Sequence, residues 1–253
     1  MSAEPYFLRH PYIFAVLLVA TVLIAGVVAF VVADIAEVSV VVHWTAMNVV
    51  LALIGAVLLK HLGWWRRVGF RRSERPGLHF LLWLPLCPIL AWNLSQIQTA
   101  ELVSPGHMLL WLAITLLGAF VEEIFFRGLM LRALEPRGPW KAAVLSALLF
   151  GSMHLFNGVA GFDWGIVAGQ AAYASAIGFA YAAYALRTGL IWPVIIVHAL
   201  ANLADLVDQE TLLGSDSTGE ADLIRWSVYV VIFAVYGTWV LKRTTPPASS
   251  VQP

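Results

Sequence analysis

Long apolar runs alternate with short polar breaks along the chain, and the runs have membrane-spanning length. A bilayer core of about 30 Å takes about 20 apolar residues as a helix. Runs meeting that length fall at 11–32, 39–59, 78–95, 107–131, 141–157, 164–186, 190–206 and 224–241. The pattern predicts an all-α, polytopic membrane protein of about eight transmembrane helices. The third run holds Pro85 and Pro88; read as re-entrant, it leaves seven spans. The short runs 141–157 and 190–206 suit helices enclosed by others. The run "WGIVAGQAAYASAIGFAYAAYAL" is crowded with small residues, with Gly165 and Gly169 at GxxxG spacing. Small residues let helices approach closely in lipid, so this helix is expected at the centre.

The polar breaks set an orientation. "KHLGWWRRVGFRRSERPG" carries Lys60, Arg66, Arg67, Arg71, Arg72 and Arg75 against Glu74. With eight spans, Arg9, Arg132, Arg137, Lys141, Arg187, Lys242 and Arg243 fall on the same side. The opposite loops hold acids, among them Asp34, Glu37, Glu101, Asp163, Asp205 and Asp216. The positive-inside rule then places both termini in the cytoplasm of a multi-pass protein of the cell membrane, or of an endomembrane in a eukaryote. Residues 1–10 read as a cytoplasmic N-terminus and 11–242 as the membrane domain. The tail 243–253, poor in residues to bury, reads as disordered. The opening run is too long and its start too weakly basic for a signal peptide, so it is expected to be a retained span.

Composition narrows the class. The 253 residues are 60% hydrophobic and 12% charged, with no net charge. Soluble domains average about 45–50% apolar and about 25% charged, so soluble classes are excluded. A neutral chain gives no support for a nucleic-acid partner. The single cysteine, Cys87, allows no intrachain disulfide or cysteine metal cluster and reads as a small buried hydrophobe.

Three spans carry polar residues where lipid disfavours them. "AFVEEIFFRGLM" holds Glu122, Glu123 and Arg127; "LLFGSMHLF" holds His154; "IIVHALANL" holds His198 and Asn202. A hairpin turning near Gly138 sets Glu122 opposite His154, both roughly 18–21 Å below the turn at 1.5 Å per residue. His198 and Asn202 lie about 13–20 Å below the turn near Thr188 by the same rise. Glu123 and Arg127 share a helix face and can pair. Glu122 points about 100° away and is left for chemistry, as a general base. His154 could share its proton or hold a water. His198 and Asn202 offer donors for a developing oxyanion. Each set alone also has a structural reading, as an ion pair, a backbone-bonded histidine or a helix-to-helix bond. His10, His61, His79 and His107 sit near span ends, where interface solvation is expected, and Gln170 reads as structural.

These residues resemble the CAAX-protease and bacteriocin-processing family of intramembrane proteases, related to the type II CAAX prenyl endopeptidase. "EEIFFR" matches its EExxxR motif, "FGSMH" its FxxxH motif and "HALAN" its HxxxN motif. The resemblance covers about 105–206 and implies a four-helix catalytic core that cleaves a peptide bond of a membrane-associated protein or peptide, prenylated or not. It implies Glu122 as the base, His154 as its assistant, His198 and Asn202 as oxyanion donors, and Glu123 and Arg127 as site support. A zinc set of Glu122, His154 and His198 is the alternative to a cofactor-free mechanism, which is favoured because Asn202 is a poor zinc ligand. Two further readings keep the same cavity: a non-catalytic scaffold or bacteriocin-immunity-type binder, and a proton-relay transporter.

Overall fold

The computed structural model describes residues 9–74, 76–84, 91, 104–159, 161–212 and 219–243. Cys87, Glu101, Asp216, most of the third apolar run and the expected disordered tail from 244 onward lie outside them. Among the described residues the elements are helices and turns, with no strand. α1 (Pro11–Ala36) and α2 (Val40–Leu62) precede two short helices, α3 (Trp65–Val68) and α4 (Pro76–Trp83). α5 (Pro105–Glu123) runs directly into a π-helical segment (Ile124–Met130), α6 (Leu131–Leu134) and a 3-10 turn (Glu135–Arg137). α7 (Pro139–Met153), α8 (Phe156–Val159), α9 (Trp164–Thr188), α10 (Trp192–Leu212) and α11 (Gly219–Lys242) complete the order.

Six of these stretches are long and apolar enough to cross a membrane. Five are whole helices or continuous helical runs where the hydropathy pattern puts spans, and the sixth is 105–137. The apolar part of α10, Trp192–Ala204, is shorter, as expected for an enclosed helix. The protein is thus all-α and polytopic. Large apolar side chains such as Val16, Leu17, Ile24 and Phe30 are exposed on α1, the surface that lipid covers.

Local sequence sets the helix ends. Ser104 caps α5 by accepting from the His107 amide (3.3 Å), and Pro105 occupies the first turn. Asp163 caps α9, accepting from the amides of Gly165 (2.8 Å) and Ile166 (3.1 Å). Gly189, with φ +68°, closes its far end in the left-handed region that glycine tolerates. The hairpin expected at Gly138 is present: its φ is +111°, and Pro139 starts α7.

α9 packs most extensively, against α11 on one side and α7 on the other, while α10 packs on α5. The central helix is therefore the small-residue one. Its GxxxG pair is used unevenly. A Cβ on Gly169 would clash with Leu223, so α11 crosses there, whereas Gly165 meets only its own cap, Asp163. On the other face Gly151 touches α9 so closely that a Cβ would lie 2.5 Å from the Ala171 carbonyl. α2 rests on the π segment through Gly55, where a Cβ would meet Ile124 at 2.9 Å.

Two loop expectations need correction. Arg132, counted above among loop charges, is buried in α6. Its guanidinium donates to the Ala185 carbonyl (3.0 Å) and pairs with Glu135 (3.3 Å), and its own carbonyl accepts from Arg67 (3.2 Å). It ties α6 to α9 rather than sitting in solvent. His79, expected to be solvated at an interface, bonds instead to the Tyr184 hydroxyl at 2.7 Å. Trp83 donates to the same oxygen at 3.1 Å, and Tyr236 donates to the Leu82 carbonyl at 2.9 Å. α4 is thus held between α9 and α11.

Candidate active site

The "EEIFFR" stretch straddles the junction of α5 and the π segment. Single π turns inside α-helices are rare and often mark functional sites. The seven residues Ile124–Met130 are all buried, so tertiary packing holds the wider turn. Ser146 of α7 helps by donating to the Phe126 carbonyl (2.8 Å). Glu123 is the last α-helical residue, and the pair with Arg127 survives the change of pitch at 3.0 Å. Both side chains are fully buried.

That pair does not stand alone. The same Glu123 oxygen that faces Arg127 also meets His198 Nδ1 at 2.8 Å. His198 Nε2 faces Glu122 Oε2 at 3.4 Å. Arg127, Glu123, His198 and Glu122 therefore form one chain of polar groups running from the buried interior outward. The contacts differ in quality. The two to Glu123 lie in the range of charge-assisted bonds, and the one to Glu122 is longer than a well-formed hydrogen bond. Glu122 is also 28% exposed while Glu123 is at 0%. Two adjacent carboxylates thus sit in two environments, one fully buried with Arg127 and His198 both on its Oε1, and one open.

Aromatic groups enclose the chain. The Arg127 guanidinium lies over the Phe150 ring at 4.2 Å and over the Tyr181 ring at 5.8 Å. Phe150 stands edge-on to His198 (6.0 Å) and to His154 (5.2 Å), and Tyr181 lies 5.8 Å from His198. Gly178 makes room for this stack: a Cβ there would fall 2.8 Å from an Arg127 nitrogen and 3.1 Å from Phe150. Tyr181 and Gly178 were not singled out in the sequence, because in a span of Ala, Gly and Tyr neither stands apart. Phe150 was visible only as the first letter of a motif.

His154 and Asn202 are placed differently. α7 ends at Met153, so His154 is its C-terminal cap rather than a helical residue. Its Nδ1 turns back to the Phe150 carbonyl at 3.3 Å. It is half-buried. The hairpin arithmetic set His154 opposite Glu122, but the direct partner of Glu122 is His198. Asn202 lies half-buried one turn beyond His198 on α10. It takes no part in the polar chain. Gln170, set aside above, bonds to Asn157 of α8 at 2.8 Å, which fastens the segment just after His154 to α9.

The zinc set of Glu122, His154 and His198 is not gathered. Among the described residues no three His, Cys, Asp or Glu side chains are placed to hold a metal ion. His198 has one nitrogen on each glutamate, and His154 has one nitrogen on a backbone carbonyl.

No curated protein and no solved structure matches the chain. A family model described as "Type II CAAX prenyl endopeptidase Rce1-like" matches residues 104–204. That segment contains every site residue discussed above, and over it the chain is similar to the Rce1-like, CAAX-type prenyl endopeptidases.

Proposed function

We propose that the protein is an endopeptidase that hydrolyses a peptide bond of a membrane-associated protein or peptide with a water activated by Glu122. The observation that carries this is the division between the two glutamates: Glu123 is buried and bonded to Arg127 and His198, while Glu122 remains partly open and weakly held. Glu122 takes a proton from water as the hydroxide oxygen attacks the carbonyl carbon. It returns that proton to the leaving amine as the carbon–nitrogen bond breaks. His154, of the FxxxH segment, holds the water. His198 is aligned by Glu123 at Nδ1, so its Nε2 is directed to the open side of the chain. With His198 as an imidazolium, the two carboxylates, the guanidinium and the imidazolium sum to zero charge. Its Nε2–H and the Asn202 amide then face the oxyanion.

The reading is cofactor-free, supported by the occupied nitrogens of His198 and by Asn202 in place of a metal ligand. Cleavage is expected to persist after exhaustive chelation and to be unchanged by added zinc. Loss on chelation with recovery on zinc addition would replace it with a metal mechanism. Substrate is expected to enter from the cytoplasm, because the basic loops mark that side. The deciding experiment uses purified protein in proteoliposomes with a membrane-tethered peptide. Glu122→Gln and His154→Ala should each abolish cleavage while the protein stays folded. Full activity in either variant sinks the proposal, and a parent protein that cleaves no membrane-tethered peptide leaves the binding-protein reading of the cavity.

A further inference from the structure

At the end of the bundle that carries the basic loops lies a cavity of about 180 Å³. Its polar lining is Arg71, Ser73, Glu74, His79, Arg187 and Thr188, with two leucines in the wall. The cavity lies where helices leave the apolar layer. Thr188 is the last residue of α9, and Trp192, the first of α10, is exposed, as interfacial tryptophans are. The cavity therefore sits at headgroup depth.

Its walls are held in place. Gly69, with φ +110°, lies so near Leu190 that a Cβ would come within 2.5 Å of its Cα. Gly189 likewise has no room for a Cβ, which would fall 2.6 Å from an Arg71 nitrogen. These two glycines let the loop after α3 touch the α9–α10 turn, which sets Arg71 beside Arg187. The Tyr184 oxygen takes the Trp83 N–H, and its own proton can satisfy His79 Nδ1. In that arrangement His79 keeps Nε2–H as a donor. Arg71 pairs with Glu74 at 3.0 Å, but the Glu74 side chain is 83% exposed and can turn to water. Arg187 is half-buried and has no ion pair among the described residues. Two guanidiniums thus face one loosely held carboxylate. A water takes about 30 Å³ of liquid, so the space admits a tetrahedral anion with its ester oxygens. Basic pockets between helices at a membrane surface suit lipid phosphates.

We propose that this cavity binds the phosphate group of an anionic lipid headgroup. The proposal does not depend on proteolysis. The test titrates purified full-length protein, in zwitterionic detergent, with dioctanoyl phosphatidic acid, dioctanoyl phosphatidylcholine and inorganic phosphate. Phosphatidic acid should bind saturably. Arg187→Gln and Arg71→Gln should each weaken it about tenfold, as expected for loss of a charge-assisted contact. Arg187→Lys should recover part of the loss, and Arg243→Gln, elsewhere at the same end of the bundle, should change nothing. Equal loss in the Arg243 variant, or no loss in Arg187→Gln with the protein still folded, overturns the site. Inorganic phosphate binding as tightly as the lipid overturns the lipid as its source.

Discussion

Glu123→Gln removes one charge from the buried end of the polar chain and leaves its shape nearly intact. In the parent, the Glu123 carboxylate lies 3.0 Å from Arg127 and 2.8 Å from His198, with Glu123 and Arg127 at zero exposure. The amide keeps an oxygen for both donors but offers no charge to the guanidinium. Arg127 is at zero exposure, with Phe150 over it at 4.2 Å and Gly178 close beside it. Breaking a buried ion pair from one side costs about 3–5 kcal/mol. At roughly 2–4 °C per kcal/mol for a chain of this size, the midpoint in detergent should fall by about 6–20 °C. The assay is thermal unfolding followed by tryptophan fluorescence, in parallel with the double variant Glu123→Gln/Arg127→Met. Removing both charges should recover much of the loss, because no uncompensated cation remains. A Glu123→Gln protein with the parental midpoint would refute the structural role of the pair. So would a double variant whose loss is the sum of the two singles.

Other outcomes follow from the packing. Gly151→Ala should destabilise by more than the usual 1–3 kcal/mol of overpacking, because its Cβ meets the Ala171 backbone carbonyl; the same unfolding assay reads it, and cleavage should fall with it as Phe150 and His154 shift. Arg132→Gln should lower the midpoint by several degrees while leaving cleavage by the folded fraction intact, since Arg132 joins α6 to α9 away from Glu122. A selective loss of kcat in Arg132→Gln would place it in the catalytic machinery instead.

Much of the fold was readable because a bilayer imposes length and apolarity on every span. The central place of the small-residue run followed from close packing, and the hairpin at Gly138 followed from Gly–Pro punctuation. What remained hidden depends on contacts between distant segments. The π turn at Ile124–Met130 has no local signature: "IFFRGLM" reads as ordinary helix, and only its burial against Gly55 and Ser146 favours the wider pitch. Helical spacing found the Glu123–Arg127 pair. It could not show that His198, on α10, completes that pair, because spacing fixes depth and not rotation about the axis. The same limit set Glu122 opposite His154 and missed its nearer neighbour His198. Arg132 and His79 were misjudged for a related reason. Charge near a span end reads as solvated unless a partner is known, and their partners, Ala185 and Tyr184, are on α9.

The most direct test of the account sets Glu122→Gln beside Glu123→Gln in one preparation, with cleavage of a membrane-tethered peptide and the unfolding midpoint measured for both. Glu122→Gln should keep the parental midpoint within about 2 °C, as expected for a partly exposed group losing one weak contact, and should lose cleavage entirely. Glu123→Gln should lose stability first. Persistent cleavage in Glu122→Gln, or a stability loss as large as that of Glu123→Gln, would contradict the assignment of the open glutamate to chemistry and the buried one to support.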